Sequence, residues 1–318
     1  ASFCFQRHVR CSHNRQIMFA VISLHSNLGL RPSGVELLPT ELLRAGLQRR
    51  LKARHAADIH PLEEYDSERS TVTGLLNGPA LRNSALALAD GVAGVLREGD
   101  IPLVLAGDCS VILGALLGSK WANRSMVLSD RVGLLFLDGH VDFYRPDASP
   151  TGEVADMDLA LAVGRGPSIL AELDDSGPLV MEDSVVAIGA RDADERDQVG
   201  SQDIRDTDVM LFELSTIRSH GIESIATEMH TALVQQDCHG FWCHIDADVL
   251  DDALMPAVDY RQPGGLAPSE LVALLRRAVE TDRMIGLSVA IYNPKLDPSS
   301  SCANLLVDTI VNGVSDWR

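Results

Sequence analysis

From position 18 onward the chain repeats one unit: a short, almost wholly apolar run, then a helix-compatible stretch, then another apolar run. The runs are FAVISL (19–24), IPLVLA (101–106), VGLLFL (132–137), SVVAIGA (184–190), VMLFEL (209–214), GFWCHI (240–245) and MIGLSVAIY (284–292). Strands with no polar alternation must be buried on both faces, which is the situation of a parallel sheet covered by helices. Helices are expected over 39–54, 78–98, 110–121, 222–235 and 268–281, the last opening with Pro268, Ser269 and Glu270 as a start signal. The expected fold class is therefore α/β, with a mainly parallel sheet between helical layers. Neither a linker-like composition break nor an internal repeat is visible, so 18–318 reads as one domain. Residues 1–17 are basic and unpatterned, and they read as an upstream extension or expression remnant.

Polar clusters follow three of the apolar runs. After VGLLFL come Asp138, His140 and Asp142; in an extended chain, positions i, i+2 and i+4 share one side, so two carboxylates and an imidazole would converge at a strand tip. A divalent cation such as Mn²⁺ accepts that mixture of donors, although a polar strand end feeding a loop spells the same letters. After GFWCHI come Asp246 and Asp248, then Asp251 and Asp252. These carboxylates repel one another unless a cation neutralises them or water solvates them. After IPLVLA come Gly107, Asp108, Cys109 and Ser110. Ligands of open parallel sheets bind beyond the carboxyl ends of the strands, so three such clusters point to one site. A lone cysteine such as Cys109 is more often a packed core residue than a ligand.

Charge narrows the partner. With 45 acidic against 27 basic residues, a formal net charge of -18 disfavours nucleic acid and anionic membrane, which are bound through clustered Lys and Arg. A small molecule or a metal is the better guest. No apolar run reaches the roughly 20 residues of a spanning helix, and the N-terminus lacks a secretory apolar core, so a cytoplasmic location is expected. The six cysteines show no CxxC spacing and are expected to be reduced. No GxGxxG or GxxxxGK[ST] is present, which leaves a nucleotide-binding reading weak.

The order of these motifs resembles the arginase-like (ureohydrolase) family. GVELLPTELLRAGL (34–47) is similar to the family's GVExGPxxLRxAGL, GDCS to GGDHS, DGHVD to DAHxD, and HIDADVLDD to SxDxDxxDP; PGGL (263–266) and GLSVAIYNPKLD (286–297) continue the match. The resemblance implies a three-layer α/β/α sandwich around a sheet of about eight strands, and homo-oligomers that are trimers or hexamers. It implies two divalent ions, Mn²⁺ in the family, held by Asp138, His140, Asp142, Asp246 and Asp248, with Cys109 where a histidine is usual. Two such ions, roughly 3.5–4 Å apart, would share a water, lower its pKa and deliver hydroxide to a trigonal carbon. In the same comparison Asp142 orients that water and helps move its proton, with Asp251 beside it as a further catalytic acid. Asp194, in GARDADERD, falls where an amino-acid substrate's α-amino group binds.

Four positions depart from the pattern. The softer donor Cys109 admits Zn²⁺ or Fe²⁺ beside Mn²⁺, and a similar cysteine with a similar DGH variant marks the family's N-hydroxyarginine-cleaving branch. Ala155 stands where a proton-shuttling histidine is usual, with Asp156 and Asp158 as new acids nearby. Ile291 replaces the glutamate that pairs with a substrate guanidinium, and it offers neither charge nor hydrogen bond. VDYRQPGG (258–265) puts Tyr260 and Arg261 into a site-lining segment, where the arginine could meet a substrate carboxylate. The expectation is a metal-dependent hydrolase of a small linear amidine, amide or modified guanidine, not a standard arginase. The alternative is a catalytically silent protein of the same fold that binds a ligand or partner.

Overall fold

The computed structural model describes residues 17–175 and 177–317. Eight parallel strands form one sheet in the order β2-β1-β3-β8-β7-β4-β5-β6. They are β1 (Phe19–Leu24), β2 (Arg54–Ile59), β3 (Ile101–Ala106), β4 (Gly133–Leu137), β5 (Val185–Ile188), β6 (Met210–Phe212), β7 (Phe241–Asp246) and β8 (Met284–Ala290). Helices cover both faces, completing a three-layer α/β/α sandwich. All seven apolar runs are strands, and β1, β3, β4, β5 and β7 are buried at every residue, as their uniform apolarity requires. Among the described residues no helix is long and apolar enough to cross a membrane. The expected extension at 1–17 lies, Ile17 apart, outside the described residues.

Two expectations need correction. The helix foreseen over 39–54 is broken into Leu38–Arg44 and Leu47–Arg50, because Gly46 takes a left-handed conformation, with φ 95°, at the junction. Its last residue, Arg54, instead opens β2, which no apolar run announced. β2 is an edge strand of half-exposed residues, RHAADI, and so carries no buried-strand signature. The other helices form at Gly78–Arg97, Val111–Ser125, Ile222–Gln235 and Pro268–Val279. Gly114 and Gly118 let the Val111–Ser125 helix approach the backbone carbonyls of Ala85 and Ala89 on its neighbour.

The strand order has a functional consequence. β3, β8, β7, β4 and β5 are successive neighbours, so the segments leaving their carboxyl ends emerge side by side. Gly107 joins β3 to its polar cluster, and its α-carbon lies against the Ser26 carbonyl where a Cβ would overlap. Gly107→Ala should therefore shift this cluster and cost about 1–3 kcal/mol, a loss that thermal unfolding would register. An unchanged melting temperature would contradict that packing.

Candidate metal centre

Asp138 leaves β4 and stays buried, while its Oδ1 accepts the backbone N–H of His140 at 2.7 Å. The chain then turns instead of continuing extended, and Asp142 adopts φ 45°. Convergence of Asp138, His140 and Asp142 thus comes from a tight turn, not from the strand pleat expected above. A second turn does the same after β7. The Oδ1 of Asp246 accepts Asp248 N–H at 2.7 Å and starts a single 3₁₀ turn, Ala247–Val249.

These turns bring the predicted ligands together. His140 Nδ1 lies 3.0 Å from Asp248 Oδ2 and 3.7 Å from Asp138 Oδ1. Cys109 Sγ donates to Asp246 Oδ2 at 2.7 Å, which joins the end of β3 to that of β7. Potential ligand atoms lie within 4.8 Å of one another in three groups: Asp138, His140 and Asp248; Cys109, Asp142 and Asp158; and Cys109, Asp138 and His244. A carboxylate with an unpaired buried oxygen is costly without a cation. Asp138 Oδ2 and both oxygens of Asp158 are such atoms, buried with no hydrogen-bond partner. The oxygen, nitrogen and sulfur donors of these groups suit divalent transition ions.

The electrostatics describe the same crowding. Burial, then the neighbouring Asp248 charge, raises the Asp138 carboxyl from its ordinary 3.8 to about 7. Burial and adjacent carboxylates also push Asp142 and Asp246 well up, and the Cys109 thiol with them. Asp248 runs the other way: burial raises it, but the His140 charge and hydrogen bond outweigh burial and hold it below its usual value. Burial pushes the His244 imidazole down to about 3, so its ring is neutral.

The remaining predicted site residues lie outside this cluster. Asp251 Oδ1 caps a turn by accepting the Ala253 N–H at 2.9 Å, and Asp252 pairs with Arg261. Arg261 is exposed in that pair, where solvent screens the charges, so Arg261→Ala should leave the denaturant midpoint nearly unchanged. Asp194 is exposed in the first turn of the helix Ala193–Val199. Tyr260 is 38% exposed, donates its hydroxyl to Glu153 Oε2 at 2.6 Å and carries the Arg31 guanidinium 4.9 Å above its ring. Ile291 is only 5% exposed, and its N–H is tied to the Gly107 carbonyl at 2.9 Å. Its φ of 70° is a rare conformation for a β-branched residue, and strain of that kind collects at functional sites.

Two polar residues at or beside the cluster, Glu153 and His244, went unassigned in the sequence reading, which notes Asp156 and Asp158 as new acids near Ala155. Asp158 is buried at the cluster, whereas Asp156 is held by Ser149 and Thr151. Glu153 is buried beneath Tyr260. His244 stands two residues before Asp246, on the same face of β7, and strand alternation alone could have found it.

The model of the "Arginase family" matches residues 18–314. The arginase of Staphylococcus aureus (strain MRSA252) is 28% identical over 300 residues, covering 91% of this chain and 94% of that protein. The arginase of Bacillus caldovelox is 27% identical over 293 residues, covering 91% and 95%. The crystal structure of arginase from Bacillus cereus superposes with a TM-score of 0.81 at 27% identity, covering 94% of this chain and 98% of that one. A match that runs through all eight strands and every residue of the buried cluster leaves one conclusion: the chain belongs to the arginase family.

Proposed function

We propose that this chain is a two-cation hydrolase cleaving a non-peptide C–N bond of a small guanidino or amidine compound. The observation that carries the reading is the convergence of Cys109, Asp138, Asp142, Asp246 and Asp248, all buried, and half-buried His140 beyond the ends of β3, β7 and β4. A pair of divalent cations held there would lower the pKa of a water they share and offset charge developing on the attacked carbon's substituents. Hydrolases of the arginase family act on bonds of this class.

The protein's own groups divide the proton work. Asp142, held by its turn toward the cluster, accepts the proton released from the attacking water. Asp158 stands close to Cys109 and Asp142, fully buried, and burial together with the Asp138 charge pushes its carboxyl well up. It can therefore hold a proton for the departing amine, the task Ala155 cannot perform. Asp158→Asn should lower kcat by about 10²–10⁴-fold, and the loss should grow with the basicity of the leaving amine. Equal loss for strongly and weakly basic leaving groups would remove Asp158 from that role.

Ile291 favours a substrate other than arginine bound through a guanidinium–carboxylate pair, since its apolar side chain leaves that cation unmatched. Buried Glu153 accepts the hydroxyl of Tyr260, from the segment that replaces the usual site lining, and is an acid available beside it. The test is turnover by metal-supplemented protein on arginine, decarboxylated arginine, N-hydroxyarginine and a linear amidine, read as urea, ammonia or amine release. Arginine turned over best would overturn the substrate reading. No release from any compound, with cations bound, would favour the second reading, a silent ligand-binding relative, which Ala155 and Ile291 support.

A further inference from the structure

We infer that His244 is a ligand of the cation on the Cys109 side of this centre, so that strand β7 supplies the imidazole that position 109 lacks. The inference rests on the two-cation reading above. In the sheet register His244 lies between Phe136 of β4 and Ser288 of β8. Alternation along β4 and β7 then puts Phe136 and Asp138, and His244 and Asp246, on one face. The ring stacks on Phe136, with centroids 5.3 Å apart, and is wholly buried.

Its two nitrogens are in different situations. Nδ1 is 2.9 Å from the Ser288 hydroxyl, which also accepts the Trp242 indole N–H at 2.9 Å. Nε2 has no hydrogen-bond partner. A buried nitrogen left unmatched is destabilising, so a partner is expected. One ring nitrogen of His244, Cys109 Sγ and a carboxylate oxygen of Asp138 lie within 4.8 Å of one another, the spacing of ligands around a single ion. With Nδ1–H donating to Ser288, Nε2 keeps a lone pair free to hold a cation; such a supported imidazole is the common form of a metal-bound histidine. The resulting sulfur, nitrogen and oxygen set is softer than carboxylates alone, and it shifts preference from Mn²⁺ toward Zn²⁺, Fe²⁺ or Co²⁺.

Titration with Co²⁺ tests this directly. The native protein should take up two equivalents and show a near-ultraviolet thiolate-to-cobalt band. His244→Ser should weaken one equivalent by more than roughly 100-fold, beyond what loss of a supporting partner costs, and should alter that band. Adding Cys109→His to His244→Ser should restore the second equivalent without the thiolate band. Unchanged affinities and spectrum in His244→Ser would overturn the role of His244. No Co²⁺ uptake by the native protein would instead overturn the two-cation reading. Should His244→Ser not fold, X-ray absorption on the native cobalt protein decides: two imidazole donors per cobalt pair, His140 and His244, are expected, and one alone would refute the inference.

Discussion

Asp246→Ala is expected to lower kcat/KM by at least about 10³-fold, equivalent to roughly 4 kcal/mol of lost transition-state stabilisation, and to reduce bound cation to less than one equivalent. Asp246 ties the turn after β7 to the end of β3: one oxygen takes the Asp248 N–H and the other the Cys109 thiol. Alanine would remove a carboxylate that could hold cation there and leave two buried donors, the Cys109 thiol and the Asp248 N–H, unmatched. Asp246→Asn keeps the shape and one acceptor, so it separates folding from ligation. It should melt near the native temperature yet bind cation poorly. Elemental analysis and turnover on the same samples provide the check, and full metal content with undiminished rate in Asp246→Ala would end the two-cation account.

Stripping cations should reverse the way stability depends on pH. The Asp138 carboxyl rises from 3.8 to about 7 in the folded chain, and Asp142, Asp158 and Asp246 are raised as well, all chiefly by burial. An acid with a raised folded value binds protons more tightly when folded. Its contribution is fully present below its unfolded value near 4 and is lost as pH climbs through about 7. His140, lowered by burial but raised further by Asp248, acts in the same sense, while Asp248 and the buried His244 are depressed and oppose it. Chelated protein should therefore melt lower at pH 8 than at pH 6. Divalent cation should erase or invert the difference, because it binds deprotonated ligands and stabilises by about 2.7 kcal/mol at 100 times its Kd. Melting curves at both pH values, with chelator and with cation, decide the matter. A chelated sample that is more stable at pH 8 would mean that the clustered acids are not buried as described.

Much of the fold was legible because six of the eight strands are buried along almost their whole length and so had to be written in apolar residues; β6, at one edge, is apolar too although only Phe212 is buried. β2 escaped because an edge strand meets solvent and carries ordinary mixed letters. The motif residues Asp138, His140, Asp142, Asp246 and Asp248 were equally legible, since acids directly after buried strands have few purposes. Their mutual approach was not. It depends on a strand order that makes β3, β8, β7, β4 and β5 neighbours, and on two turns that replace the extended geometry the spacing alone implied.

Local pattern therefore determined the α/β class, the strand positions and the chemical character of the site, because burial and periodicity act on residues near one another in the chain. Tertiary structure alone decided which side chains share the cluster. Asp158 and His244 enter it, whereas Asp251 caps a turn and Arg261 is paired with Asp252. Burial and like-charge repulsion depend on through-space distance, and residues such as Cys109 and Asp246, 137 positions apart, meet only when the sheet has formed.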